Sequence, residues 1–297
     1  MEKLRVFGLM TVLTLLLVGL GGYIGGNSGA ALFFGISLAM NFGMYWFSDK
    51  IVLKQYRAHI VQRGEEGGRF DALYDMVDQL RRNADLPMPV VAVSEQTQPN
   101  AFATGRNPEH AVVCVTRGMW DLVGQGHMTR DELEGVMAHE LAHVKHRHML
   151  VGAIAASMAG AVMMIGNVLK WGAIFGMGGR DRDSNPIALI ALAILAPIAA
   201  MLVQMAISRR NEFEADEGAA RISGNPMALA SALTKIEQIA KHNPMRLSPS
   251  AAHLAIINPL AGTGGFTGLF RTHPPTEERV ARLRQLTARP GAVPLTR

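Results

Sequence analysis

VMAHELAHVKHRHML, residues 136–150, places a charged, histidine-rich segment directly before a long apolar one. Within it His139-Glu140-Leu141-Ala142-His143 is an H-E-x-x-H pattern. On a helix, two histidines at i and i+4 project from one face about a turn apart, so both imidazoles can reach one zinc ion. Glu140 lies beside them and is better placed to hold and deprotonate a water that the metal activates, as a general base. Thr129 followed by Glu132 is a capping-box pattern, which predicts a helix starting there. Leu133, Val136, Met137, Leu141 and Val144 give that helix an apolar stripe. The bland alternative, an amphipathic helix with His and Glu on a solvated face, is the weaker reading.

A catalytic zinc needs a third protein ligand. The arrangement with a third histidine further along requires a glycine that turns the chain back, and none follows His143. His146, Arg147 and His148 therefore read as a polar helix end at a membrane interface. Glu212 in NEFEAD is the better candidate, and Asp216, one turn on, shares its face. Asp216 suits the distal N–H of a metal-bound histidine, a contact that orients the ring. Without H-E-x-x-H in the same chain, both would read as a charged helix face.

The rest of the chain explains the setting. It has 297 residues, of which 49% are hydrophobic and only 18% charged, more apolar than an ordinary soluble domain. The apolar residues are bunched into 6–26, 28–48, 149–169 and 186–207, each long enough for a helix across a bilayer core of roughly 30 Å. Four spans are expected. They divide the chain into an N-terminal hairpin (1–48), a polar part with the H-E-x-x-H helix (49–148), a second hairpin (149–207) and a helical polar part with the third ligand (208–297). A cleaved signal peptide fits the first stretch poorly, because no A-x-A site follows it. Basic residues at Lys3, Arg5, Lys50, Lys54, Arg57 and Arg63 place both polar parts on the cytoplasmic side. Two spans lie between His143 and Glu212, and an even number returns the chain to the same side. The net charge of +5 is scattered near span ends and is no nucleic-acid signal. The single cysteine, Cys114, excludes an intramolecular disulfide framework.

Between the spans, 70–83 has a helical apolar face, and 90–95, 100–104 and 110–116 read as strands of a small sheet. Helices are expected at 208–222, 226–242 and 275–286, with a Gly- and Pro-rich loop over 243–272.

Four stretches, NAFATG (100–105), DELEGVMAHELAHVKHR (131–147), SRRNEFEAD (208–216) and HPPTEERVARL (273–283), together resemble the HtpX-type membrane zinc metalloproteases. That family is a gluzincin group related to the CAAX prenyl proteases. The chain departs from the family pattern at KHRH, where an Asn or Asp is usual, and at Asn211, where an Arg is common. The resemblance implies a mainly α integral membrane protein whose cytoplasmic α+β zincin-type domain carries a small β-sheet. It implies one Zn2+ held by His139, His143 and Glu212, with Glu140 as base. It also implies cleavage of misfolded or damaged membrane proteins and unfolded polypeptides, in quality control of the bacterial inner membrane under stress. Asn100, Ala101, Phe102, Ala103 and Thr104 would form an edge strand that binds substrate by strand addition. His273 would stabilise the oxyanion as a preorganised donor; a loop-capping role is its alternative. A prenyl-peptide protease and a non-catalytic metal-binding scaffold are the alternative functions. The intact Glu140 counts against a scaffold.

Overall fold

The computed structural model describes residues 2–152, 209–242 and 274–287. Most of the third expected span (149–169), all of the fourth (186–207) and His273 fall outside them. The chain divides into two compact units, Met1–Tyr45 with Val151–Ile207, and Trp46–Leu150 with Ser208–Arg297.

The N-terminal segment α1, Glu2–Tyr56, is two helices joined at a kink where Gly25 (φ −134°, ψ 21°) and Gly26 (φ 58°, ψ −143°) leave helical geometry. Positive φ at Gly26 costs glycine little, which is why the turn falls in GGNSG. The two limbs pack on each other. A Cβ on Gly21 would lie 2.4 Å from the Gly29 carbonyl oxygen, so only glycine permits this approach. Leu13 and Leu17 are buried there against Phe33 and Met40. Asn41 Nδ2 donates to Thr14 Oγ1 at 3.0 Å. Gly25–Tyr56 is long and apolar enough to cross a membrane, and Val6–Gly22 is a shorter apolar helix. Leu32, Leu38, Phe42 and Trp46 are exposed, an outward apolar surface that suits lipid. The second helix does not stop at residue 48, where the sequence suggests a boundary. It runs on through Asp49, Lys50 and Lys54, since no glycine or proline stands there to break it.

The second unit is α+β. Strands β1 (Ala58–Ile60), β2 (Val90–Ser94), β3 (Ala101–Gly105) and β4 (Ala111–Thr116) form one sheet in the order β1-β2-β4-β3. The β2–β4 pair is parallel, and β1–β2 and β3–β4 are antiparallel. The three-residue β1 carries no strand signal of its own. It forms because the chain leaving α1 pairs Ala58 with Ser94 and Ile60 with Ala92. Helix α2 (Asp71–Asn83) buries Leu73, Met76, Val77 and Leu80, the face its periodicity predicts. After α3 (Arg117–Gly124), helix α4 (Arg130–Lys145) starts at the expected capping box. Thr129 Oγ1 accepts from Glu132 N–H at 3.2 Å, and Glu132 Oε2 accepts from Thr129 N–H at 2.7 Å.

Helix α5 is described over 209–223, α6 is Pro226–His242, and α7 is Thr276–Thr287. One core joins α2, α4, α5, α6 and α7 with one side of the sheet. A Cβ on Gly135 of α4 would fall 2.8 Å from the Leu229 backbone nitrogen of α6, so these helices meet almost backbone to backbone.

Candidate metal centre

Helix α4 is not an amphipathic surface helix. His139 and Glu140 are 1% and 5% exposed, as buried as the apolar stripe beside them. Burying ionisable groups is costly unless they are paired or bind a metal, and the partners come from α5 and α7. His139 Nε2 and His143 Nε2 lie 3.1 Å apart. Glu212 Oε2 is 3.5 Å from His139 Nε2, and Glu212 Oε1 is 3.5 Å from His143 Nε2. Three donors tetrahedrally placed around zinc at about 2.0–2.1 Å must be roughly 3.3 Å from one another. The two ring nitrogens are that far apart, each lies about that far from one of the two Glu212 oxygens, and one donor atom from each residue lies within 4.8 Å of the others; two imidazole nitrogens with a carboxylate are a zinc donor set. The residues therefore fit a zinc ion. Among the described residues, this is the group of His, Cys, Asp and Glu side chains able to hold a metal.

What brings α5 to α4 is a small residue. A Cβ on Gly218 would sit 2.7 Å from Ala142 Cβ, so glycine at 218 lets the helix carrying Glu212 approach the helix carrying both histidines.

Around the triangle, Asp216 Oδ1 is 3.0 Å from His139 Nδ1, the far nitrogen of that ring. Arg279 of α7, 1% exposed, then binds Asp216 through Nε (2.9 Å) and Nη2 (2.7 Å), and reaches Glu212 Oε2 through Nη1 at 3.1 Å. The residue that neutralises Asp216 is thus Arg279. Arg209, the nearer cation in sequence, is exposed. The sequence reading overlooks Arg279, although a signal was present. Thr276, Arg279 and Leu283 form the buried stripe of α7, so the arginine occupies an inward-facing position.

The buried charges set protonation. Burial pushes the Glu140 carboxyl up to about 7; His139 opposes this and Glu212 adds to it. A carboxyl near neutrality both accepts and returns a proton, as general acid–base work requires. Burial disfavours charge on His139, yet the Asp216 and Glu212 carboxylates outweigh it and hold the ring at about 9. Burial dominates at His143, which has one carboxylate neighbour and is held low.

His148 departs from the interfacial role its sequence position suggests. Helix α4 stops at Lys145, Arg147 takes a left-handed backbone (φ 60°), and helical geometry resumes at His148. His148 is 4% exposed, with Nδ1 3.1 Å from His143 Nδ1. His146 stacks on its ring at 5.4 Å. Burial, with the His143 and His146 rings close by, holds His148 down at about 2, so it is neutral.

The stretch 100–104 lies beside this centre. Among the described residues β3 is an edge strand, paired with β4, and the Ala103 backbone hydrogen-bonds to Glu140. Its expected openness is not seen: Asn100, Ala101, Phe102, Ala103 and Thr104 are all buried. Phe102 packs on Tyr56 with ring centroids 4.3 Å apart. Asn100 is held through its main chain, donating to Thr116 Oγ1 at 2.8 Å.

A family model described as peptidase family M48 matches residues 69–287, which contain this whole constellation. The chain belongs to peptidase family M48. A "Protease HtpX homolog" of Pelotomaculum thermopropionicum is 50% identical over 286 residues, 95% of this chain and 98% of that one. Another from Thermococcus kodakarensis is 51% identical over 291 residues, 97% of each chain. The crystal structure of S. mikatae Ste24p aligns with a TM-score of 0.50 at 17% identity, over 95% of this chain and 65% of that one. At that identity the likeness concerns the fold alone, and the present chain spans about two thirds of that protein's length. Family and relatives together support a membrane metalloprotease, and the described residues are mostly helical with a small mixed sheet.

Proposed function

We propose that the protein is a zinc-dependent endopeptidase, embedded in the membrane, that cleaves misfolded or damaged membrane proteins and unfolded polypeptides. The observation that carries this reading is the triangle of His139, His143 and Glu212 next to a buried Glu140 whose carboxyl is pushed to about 7. His139, His143 and Glu212 would hold the ion, and Asp216 would orient His139. Bound zinc would supply Lewis acidity toward a water molecule and the scissile carbonyl. Glu140 accepts the proton that the attacking water gives up and returns it to the amine nitrogen as the C–N bond breaks. The Ala103 hydrogen bond aims the Glu140 carboxyl, and the buried surroundings keep bulk water from it. His273 is assigned to stabilise the developing oxyanion.

Four spans, with both termini and the metal centre on the cytoplasmic side of a bacterial inner membrane, agree with the apolar stretches and the basic residues that flank them. A role in stress-linked quality control follows from the same resemblance. Substrate pairing with β3 requires that its buried edge be uncovered, a step consistent with selecting already unfolded chains. The intact base beside the donor triangle disfavours a scaffold. The fold likeness at 17% identity carries no preference for a prenyl-peptide substrate.

The test pairs wild type with Glu140→Gln, both purified in mild detergent under metal-free handling. Both should bind about one zinc, and only wild type should cleave an unfolded protein or itself. A wild type that binds zinc but cleaves neither itself nor any unfolded substrate overturns the proposal.

A further inference from the structure

Each histidine of the triangle must present a lone pair at Nε2 to serve as a ligand, so its ring proton must sit on Nδ1. That proton needs an acceptor, since an unsatisfied buried N–H is costly. For His139 the acceptor is the Asp216 carboxylate, 3.0 Å away. For His143 the group facing Nδ1 is the Nδ1 of His148, at 3.1 Å. The two rings meet at 69°, with centroids 5.2 Å apart. If His148 Nδ1 accepts, its own proton sits on Nε2, and that nitrogen lies 3.3 Å from Glu214 Oε2. This tautomer places the His143 ring proton on an acceptor, His148 Nδ1, and leaves His148 Nε2 close to the Glu214 carboxylate without a hydrogen bond to it.

Resting on the zinc-centre reading, we propose that His148 is a positioning residue for the second metal ligand, accepting from His143 Nδ1–H, with the Glu214 carboxylate beside its other nitrogen favouring that tautomer electrostatically. The turn at Arg147 exists in service of this contact, because a helix continuing past Lys145 would carry residue 148 away from the His143 ring. The two histidine ligands are then oriented by unlike acceptors, a carboxylate for His139 and a neutral imidazole for His143. This also assigns a role to Glu214, a residue outside the ligand set. Arg210 anchors it one turn back, Nε to Glu214 Oε1 at 2.8 Å.

The test uses the full chain in mild detergent. Zinc affinity is measured by chelator competition, and ligand geometry by the visible spectrum of the cobalt-substituted protein. His148→Leu removes the acceptor while keeping an apolar filler, and His148→Asn retains an acceptor oxygen. Zinc should bind about 10- to 100-fold more weakly to the leucine variant, the usual cost of losing a partner of a ligating histidine. Its cobalt spectrum should change, and the asparagine variant should recover most of both. Glu214→Ala, at a half-exposed position that tolerates truncation, should weaken zinc in the same direction and serves if His148→Leu does not fold. The inference fails if wild type binds zinc while the leucine and alanine variants bind it equally tightly with unchanged spectra. It also fails if asparagine is no better than leucine, since that would mean packing alone. Absence of zinc binding by wild type would instead overturn the metal-centre reading itself.

Discussion

Arg279→Met removes the cation that stands between two buried carboxylates. Three charge-assisted contacts at 2.7, 2.9 and 3.1 Å disappear, and Asp216 and Glu212 remain 2% and 4% exposed. His139 is left as the neighbouring partner, at 3.0 Å from Asp216. Breaking a buried pair by removing one member typically costs about 3–5 kcal/mol, because the other charge stays desolvated. For a unit of this size that corresponds to an apparent melting temperature lower by roughly 6–20 °C. The assay is thermal unfolding in mild detergent at one fixed scan rate, followed by tryptophan fluorescence, since such unfolding is usually irreversible. Arg279→Lys should fall between, since one ammonium cannot reproduce the planar fork that spans both carboxylates. Arg282→Met is the control on the same helix. Arg282 lies over the Phe213 ring at 3.6 Å but is half exposed, so its loss should cost about 0.5–1 kcal/mol. An Arg279→Met variant that melts with the Arg282→Met control would refute the view that Arg279 neutralises the buried carboxylates.

Stripping the protein with a strong chelator should abolish cleavage, and added zinc should restore it in wild type but not in Glu140→Gln. Gly218→Leu places side-chain atoms where a Cβ alone comes within 2.7 Å of Ala142 Cβ. It should cost about 1–3 kcal/mol as overpacking and weaken zinc binding by displacing Glu212; unchanged affinity would show that this approach does not set the site. Glu132 takes hydrogen bonds from Ser231 (2.6 Å) and Lys235 (2.8 Å). Burial raises its pKa, but these bonds outweigh it and hold the carboxyl below its usual range. Its stabilisation is then present above the unfolded value of about 4.3 and is lost as pH falls through the lower folded value. Glu132→Gln should melt below wild type at neutral pH, and the gap should close under acid; a constant gap would contradict the sign.

Local patterns were legible in the sequence because they depend on neighbours a few residues apart. The i, i+4 spacing of His139 and His143, the capping box at Thr129, the apolar face of α2 and the strands at 90–94, 101–105 and 111–116 all follow from helical or strand periodicity. So does the break at Gly25–Gly26, where only glycine adopts the required backbone cheaply. Glu212 was singled out by its place in a motif, since the spacing of a helix 69 residues beyond His143 says nothing of distance to it.

Tertiary structure alone decided the rest. Arg279 reads as one of several charges in a charged helix, and becomes the partner of Asp216 because α7 turns its apolar stripe, arginine included, onto α5. His148 reads as the polar end of a helix, and faces His143 because a turn with one left-handed residue, at 147, interrupts the helix before it. The edge strand 101–105 reads as open, and is buried once Tyr56 and α4 pack against it. In each case the deciding term is desolvation. A charge or a backbone edge on a single element is solvated by default, and only the packing of a second element removes the water and forces a specific partner.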